Sequence, residues 1–287
     1  MKKLVLIHTL IYAAGLGAFA QSHLKTVQVT SVWAPANVRI DGKLNEWEDN
    51  FQAYNKSTRL FYTLSNNEKY LYLAVTSTDA QTNTKIAAGG ITFTINTEGK
   101  KKEKGAFILT YPVIANMGRG QRGSGRFGGR QQSNGTDTAA IAAAHRQFVA
   151  SSKEIKVFGF KDVDDTLISI YNEYGIKTAI GYDSLGNYNY ELAVPLKLLG
   201  ISSDSPSEIA YNIKVNGLQI SNDFQVKVMV DNIQISGFGG GGGRGGGARG
   251  GGRAGGNGKG AKEGNNIDFE DLTSPTDFWG KYTLARK

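Results

Sequence analysis

The chain contains no cysteine, only three histidines and only five prolines in 287 residues. Without cysteine there is no disulfide, no thiolate nucleophile and no lipid-modified N-terminal cysteine. With so few histidines, a His-based metal centre or a Ser-His-acid triad has almost nothing to draw on, because each needs a positioned imidazole. No G-x-S-x-G elbow and no G-x-x-x-x-G-K-[ST] loop is present. The two G-x-G-x-x-G matches, at 118–123 and 123–128, fall in glycine-rich text that produces such spacings by chance. They also lack the strand-turn-helix setting of a dinucleotide site.

Long apolar runs are equally scarce. One occurs, from Leu4 to Phe19, behind Lys2 and Lys3 and ahead of the small-x-small triplet Ala18-Phe19-Ala20. This order reads as a secretory signal peptide over 1–20, cleaved near Ala20, and it is too short for a membrane span. The mature chain, 21–287, is expected to be secreted, periplasmic or associated with an outer membrane, with no transmembrane segment of its own.

The formal charge of +8 is unevenly distributed. Residues 115–135 carry Arg119, Arg122, Arg126 and Arg130 among glycines, and residues 237–264 carry Arg244, Arg249, Arg253, Lys259 and Lys262. Together with Lys2 and Lys3 these account for more than the whole excess, so the remaining body is slightly acidic. The two segments have almost no apolar side chains and are rich in glycine, which loses the most entropy on ordering. They are expected to be disordered loop insertions within a single domain.

What is abundant is alternation with period two. "TVQVTSVW" (26–33) puts Val27, Val29 and Trp33 on one face, and "GITFTIN" (90–96) aligns Ile91, Phe93 and Ile95. "NYNYELAVP" (187–195) aligns Tyr188, Tyr190, Leu192 and Val194, leaving Glu191 on the face expected to meet solvent. "FQVKVMVDNIQI" (224–235) repeats the pattern. Further strand-like runs are "TRLFYTL", "KYLYLAVTS", "GAFILTYP", "EIKVFGF", "TLISIYN" and "IAYNIKVNGLQI", separated by turn signals such as "DSLGN". The fold class expected is all-β, a two-sheet antiparallel β-sandwich. One short helix is expected over 137–152, "DTAAIAAAHRQFVASS", and a single turn at "VPLKLLG" behind Pro195.

Several pieces, taken in order, resemble carbohydrate-binding module family 9 and the related DOMON-like sandwiches. They are "VRIDGKLNEWED" (38–49), "LSNNEKYLYLAVTSTD" (64–79), "AAGGITFTINTEGKKKEKG" (87–105), "YPV" (111–113) and "NYNYELAVPLKLLG" (187–200). The resemblance implies two packed antiparallel sheets and a secreted, non-catalytic protein that attaches to polysaccharide. Sugar-binding members clamp a glycan end between two tryptophans. Here the candidates are Trp33, Trp47 and Trp279, and neither Trp33 nor Trp47 is placed as a ligand contact, both being expected in the core. Related sandwiches that bind haem use axial Met, His or Lys, and no pairing among His23, His145, Met117 and Met229 is legible.

The candidate glycan contacts are Tyr62, Tyr111 and Trp279, whose flat rings can stack on the apolar faces of sugars; each has a structural reading as well. Asp162, Asp164 and Asp165 in "KDVDDT" are hard oxygen ligands at a spacing that could hold a structural Ca²⁺, or else a solvated turn. No acid pair of the kind a glycosidase needs is legible. An alternative function rests on the Gly/Arg segments. Arg119, Arg122, Arg126, Arg130, Arg244, Arg249 and Arg253 would bind an anionic polymer at the cell surface, or a protein partner, through forked guanidinium contacts. RNA is not expected, because the segments carry almost no aromatic residues to stack on bases. A third reading is the accessory domain of a polysaccharide-degrading enzyme.

Overall fold

The computed structural model describes residues 24–47, 50–113, 138–204, 208–218 and 269–287. Two antiparallel sheets face each other. The first has five strands in the order β1-β2-β3-β9-β8: β1 Ala53–Asn55, β2 Leu60–Asn66, β3 Tyr70–Ser77, β8 Lys177–Tyr182 and β9 Tyr188–Pro195. The second has six in the order β11-β10-β4-β5-β6-β7: β4 Ile91–Asn96, β5 Phe107–Tyr111, β6 Glu154–Phe158, β7 Leu167–Ser169, β10 Glu208–Val215 and β11 Thr276–Thr283. This is the two-sheet sandwich that the alternation predicts.

The interior is built from one face of each strand. Tyr62 and Leu64 of β2, Leu71, Leu73 and Val75 of β3, and Tyr188, Tyr190, Leu192 and Val194 of β9 meet Ile91, Phe93 and Ile95 of β4 and Tyr211 and Ile213 of β10. At about 25 cal/mol per Å² of apolar surface removed from water, these side chains supply most of the favourable folding energy.

Helix is more frequent than expected. Besides α2 (Thr138–Ser151), which covers the predicted Ala-rich stretch, the described residues include α1 (Ala80–Gly89) and a short α3 (Phe269–Thr273). The turn behind Pro195 is a 3-10 turn, Leu196–Leu199. The stretch 26–33, expected as a strand, does not form one. That stretch makes only isolated bridges, Lys25 to Ala53 and Trp33 to Asn66, and Val29 is 67% exposed while Trp33 is half-buried. Gln28 explains why. It is buried, and its side-chain amide both accepts from Leu64 N and donates to Leu64 O, at 2.7 Å each. A side chain thus completes the edge of β2, where a backbone ladder would have put a hydrophobic residue inward.

From there the N-terminal segment crosses the outer face of the five-stranded sheet as a strap. Leu44, Trp47 and Phe51 form a second apolar cluster with Tyr72, Ala74 and Ala193. Trp47 is therefore a packing residue, as expected, and the partner it packs on is the outer face of the sheet. Close approach is made possible by Gly42, at φ +82°, whose added Cβ would lie 2.4 Å from the Ile180 carbonyl oxygen. Gly181 faces it from the strand side, where a Cβ would lie 2.3 Å from the Gly42 oxygen.

Candidate functional site

The strap does not cover the whole outer face. Part of one cross-strand row is left open beside it, Phe61 of β2, Thr76 of β3 and Asn189 of β9, in register with Tyr54 of β1 at one end and with Gly181 of β8, which Gly42 of the strap covers, at the other. Period-two alternation places all five on the face opposite the core. Over this row lies a groove of about 670 Å³, walled by Leu44, Asn45 and Phe51 from the strap and by Asp183, Leu185 and Asn187 from the β8–β9 turn.

The floor is aromatic at one end and polar at the other. Phe61 sits with its ring centroid 4.4 Å from Tyr54 and 6.2 Å from Phe51, tilted against each. Thr76 Oγ1 donates to Asn189 Oδ1 at 2.9 Å. The same hydroxyl lies 3.2 Å from the Tyr188 carbonyl, a second acceptor for its one hydrogen, and among the described residues Asn189 Nδ2 has no acceptor. The Asn45 side chain, exposed on the strap, makes no hydrogen bond to any described residue.

The rim is pre-formed by the β8–β9 turn. Asp183 Oδ1 accepts from Leu185 N and Asn187 N at 2.8 Å each, and Asp183 Oδ2 accepts from Asn187 Nδ2 at 2.7 Å. Gly186, at φ +81°, takes the left-handed position that this turn requires. Leu185 stands at the tip, 85% exposed. Asp183 is the one carboxylate among the described residues lining the groove, and its oxygens are engaged by its own turn. Such a site offers amide donors and acceptors, a hydroxyl and aromatic faces. It holds no paired acids.

The sequence-predicted contacts are differently placed. Tyr62 is fully buried between the sheets, its hydroxyl 2.9 Å from that of Tyr211 and accepting from Gln28 N. Tyr111 is 2% exposed and donates to the Ser152 carbonyl. Burial pushes both phenols up, Tyr111 to about 12. Neither ring can meet a ligand, because alternation turns them to the core side of their strands; both expectations are corrected. Trp279 is half-buried on the outward side of β11, in register with Asn212, on the opposite sheet from the groove. The three rings are therefore not brought together.

Asp162, Asp164 and Asp165 are all exposed, with Val163 turned inward between them. Among the described residues no group of three or more histidine or acidic side chains is placed to hold a metal ion. The three exposed carboxylates form no such group, and the Ca²⁺ expectation is corrected accordingly. Arg119, Arg122, Arg126, Arg130, Arg244, Arg249 and Arg253 lie outside the described residues. No helix among the described residues is long and apolar enough to cross a membrane.

The groove residues carry a readable signal in the alternation itself. In "TRLFYTL" and "NYNYELAVP" the apolar residues identify the core face, and Phe61 and Asn189 fall on the other. What the pattern does not tell is which part of that face the strap would leave uncovered. No family model, no curated protein and no solved structure matches the chain.

Proposed function

We propose that the chain is an exported, non-catalytic glycan-binding protein, and that the groove over the Tyr54–Phe61–Thr76–Asn189 row is its binding site. The observation that carries this reading is a concave strip with aromatic rings at one end and, at the other, a side-chain amide beside a threonine hydroxyl. Sugars present that same combination, apolar ring faces bordered by hydroxyls that both donate and accept. Ligand pockets of this kind pair an apolar lining with a few placed polar groups. Asn189, Asn45 and Thr76 would read hydroxyls, while Phe61, with Tyr54 packed against it, would take a ring face. The resemblance to family 9 carbohydrate-binding modules points the same way. Attachment to polysaccharide at the cell surface or beyond would be its role.

The test is binding of the mature chain to neutral and anionic polysaccharides at low and high salt. The expected result is retention on a neutral glycan that survives high salt and falls about tenfold in Asn189→Ala and in Phe61→Ala, the size of one lost hydrogen bond or stacking contact. Asn189→Asp removes the donor while keeping the acceptor of Thr76, and should weaken binding without unfolding the chain. Binding to anionic polymers alone, abolished by salt, would move function to the Gly/Arg segments. Binding to none would end the glycan reading.

A further inference from the structure

A second cavity opens on the same sheet face, on the far side of the strap. Its floor is another cross-strand row, Tyr72 of β3, Ala193 of β9 and Lys177 of β8, in register. Ala193 supplies the depression. A methyl group between a tyrosine and a lysine leaves a gap of about 300 Å³, walled by Val38 and Ile40 of the strap and by Tyr70.

The chemistry of this cavity differs from that of the groove. Its lining contains two cations, Lys177 and Arg39, and no carboxylate among the described residues. The Lys177 ammonium lies 5.5 Å from the centroid of the Tyr70 ring, and no described acid pairs with it. Arg39 gives its Nε to Glu46 Oε1 at 3.0 Å, which leaves its two terminal nitrogens without a protein acceptor among the described residues. Glu46 offsets the charge of Arg39, so the uncompensated cation is Lys177. Tyr70 is half-buried and presents ring surface beside it, backed by the buried Tyr72 at a centroid distance of 5.8 Å.

We propose that this cavity is a second ligand site, specific for one sugar unit bearing a carboxylate, that is, a uronate. The volume lies at the small end of ligand pockets and suits one ring. The exposed part of Tyr70 would meet the apolar face of the sugar ring. Lys177 would take the carboxylate in a charge-assisted hydrogen bond, with the free Arg39 nitrogens in reach of the same anion. Lys177 is held over Tyr70 by attraction of its cation to the ring face, so little freedom is lost when the ligand arrives. The site shares no residue with the groove and stands independently of it.

The test is titration of the mature chain with D-glucuronate, D-glucose and acetate, followed by heteronuclear NMR shifts of the Lys177 and Ala193 amides. Glucuronate should bind at least about tenfold more tightly than either glucose, which lacks the charge, or acetate, which lacks the ring. Lys177→Gln should weaken glucuronate about tenfold, Lys177→Arg should restore most of that, and Asn189→Ala in the other groove should leave it unchanged. Lys177 is exposed, so these variants fold. Equal binding of acetate and glucuronate would overturn the proposal, as would equal binding of glucose and glucuronate. Undiminished glucuronate binding by Lys177→Gln, or shifts confined to residues elsewhere, would overturn it too.

Discussion

The Glu191 carboxylate is held by three donors and, among the described residues, by no cation. Its Oε2 accepts from Asp41 N and Gly42 N at 3.0 and 2.9 Å, and its Oε1 accepts from Trp47 Nε1 at 3.0 Å. The residue is fully buried beneath the strap. Alternation correctly assigns it to the face away from the core, and the expectation that this face meets solvent is what fails. The pattern of a strand reports which side a residue is on; it is silent about what later segment lies over that side. Burial raises the Glu191 pKa above the ordinary 4.5, against the lowering effect of the three hydrogen bonds, and nearby Asp41 adds to the rise. The native site therefore holds the proton more tightly than the unfolded chain does. This group's contribution to stability falls as pH rises from about 4.5 to the raised native value and is level above it. Glu191→Gln offers one acceptor oxygen where three donors converge, and its amide nitrogen faces a donor. Denaturant unfolding at pH 7 should show a loss of about 1–3 kcal/mol, the cost of a buried unsatisfied donor. The wild-type decline above pH 4.5 should be shallower in the variant. An unchanged midpoint and an unchanged pH profile would show that the carboxylate does not pin the strap.

At the scale of elements, strands were legible and coverings were not. The tyrosine and leucine alternation of 69–77 and 187–195 delivers β3 and β9 within a residue or two, because each strand turns one apolar face to the core, although the strap buries the other face too. Helix α1 was missed although its start is written in the sequence. Asp79 is its N-cap, accepting from Thr82 N at 2.8 Å and from Thr82 Oγ1 at 2.6 Å. The spacing Asp-x-x-Thr ahead of an alanine-containing run is a capping signal; it was overshadowed by the strand pattern that ends at Ser77. Arg59, in the left-handed region at φ 53°, reaches Asp79 at 3.2 Å and Asp271 of α3 at 3.0 Å, tying the first turn of α1 to the C-terminal part of the chain. Burial works to raise the Asp79 pKa, but the Thr82 bonds and Arg59 outweigh it and hold it below the ordinary 3.8. Its contribution is thus fully present above about pH 3.8 and is lost as pH falls toward the lowered native value. Asp79→Ala should cost about 1 kcal/mol at neutral pH by urea denaturation, the usual size of a lost cap. Asp79→Asn keeps the cap acceptor and loses only the half-exposed ion pair, so its cost should be smaller. If the two variants were equally destabilised, the ion pair and not the cap would be the dominant contact.

Over the whole molecule, the two sheets are joined by phenols as much as by aliphatic side chains. Tyr62 and Tyr211 meet hydroxyl to hydroxyl across the interior at 2.9 Å, and Tyr282 bridges Val32 O and Asn66 Oδ1, linking β11 to the strap and to β2. Tyr111 and Tyr190 face each other from opposite sheets, with centroids 6.2 Å apart. Such contacts follow from inward tyrosines on facing strands, and they make the sandwich sensitive to alkali as a unit. Burial raises the phenols of Tyr62, Tyr111, Tyr188, Tyr190, Tyr211 and Tyr282 above the ordinary 10, with Tyr111 and Tyr282 at about 12. Each native phenol holds its proton more tightly than the same residue in the unfolded chain. Stability must then fall as pH rises from about 10 toward those native values, with several groups acting together. A phenolate absorbance titration run beside circular dichroism should show one fraction of the tyrosines ionising only with the loss of the β signal, in a single cooperative step. In guanidinium chloride all should titrate together near 10. Phenolate formation that is complete near pH 10 with the β signal intact would mean that water reaches the space between the sheets, and the packing described for the core would not hold.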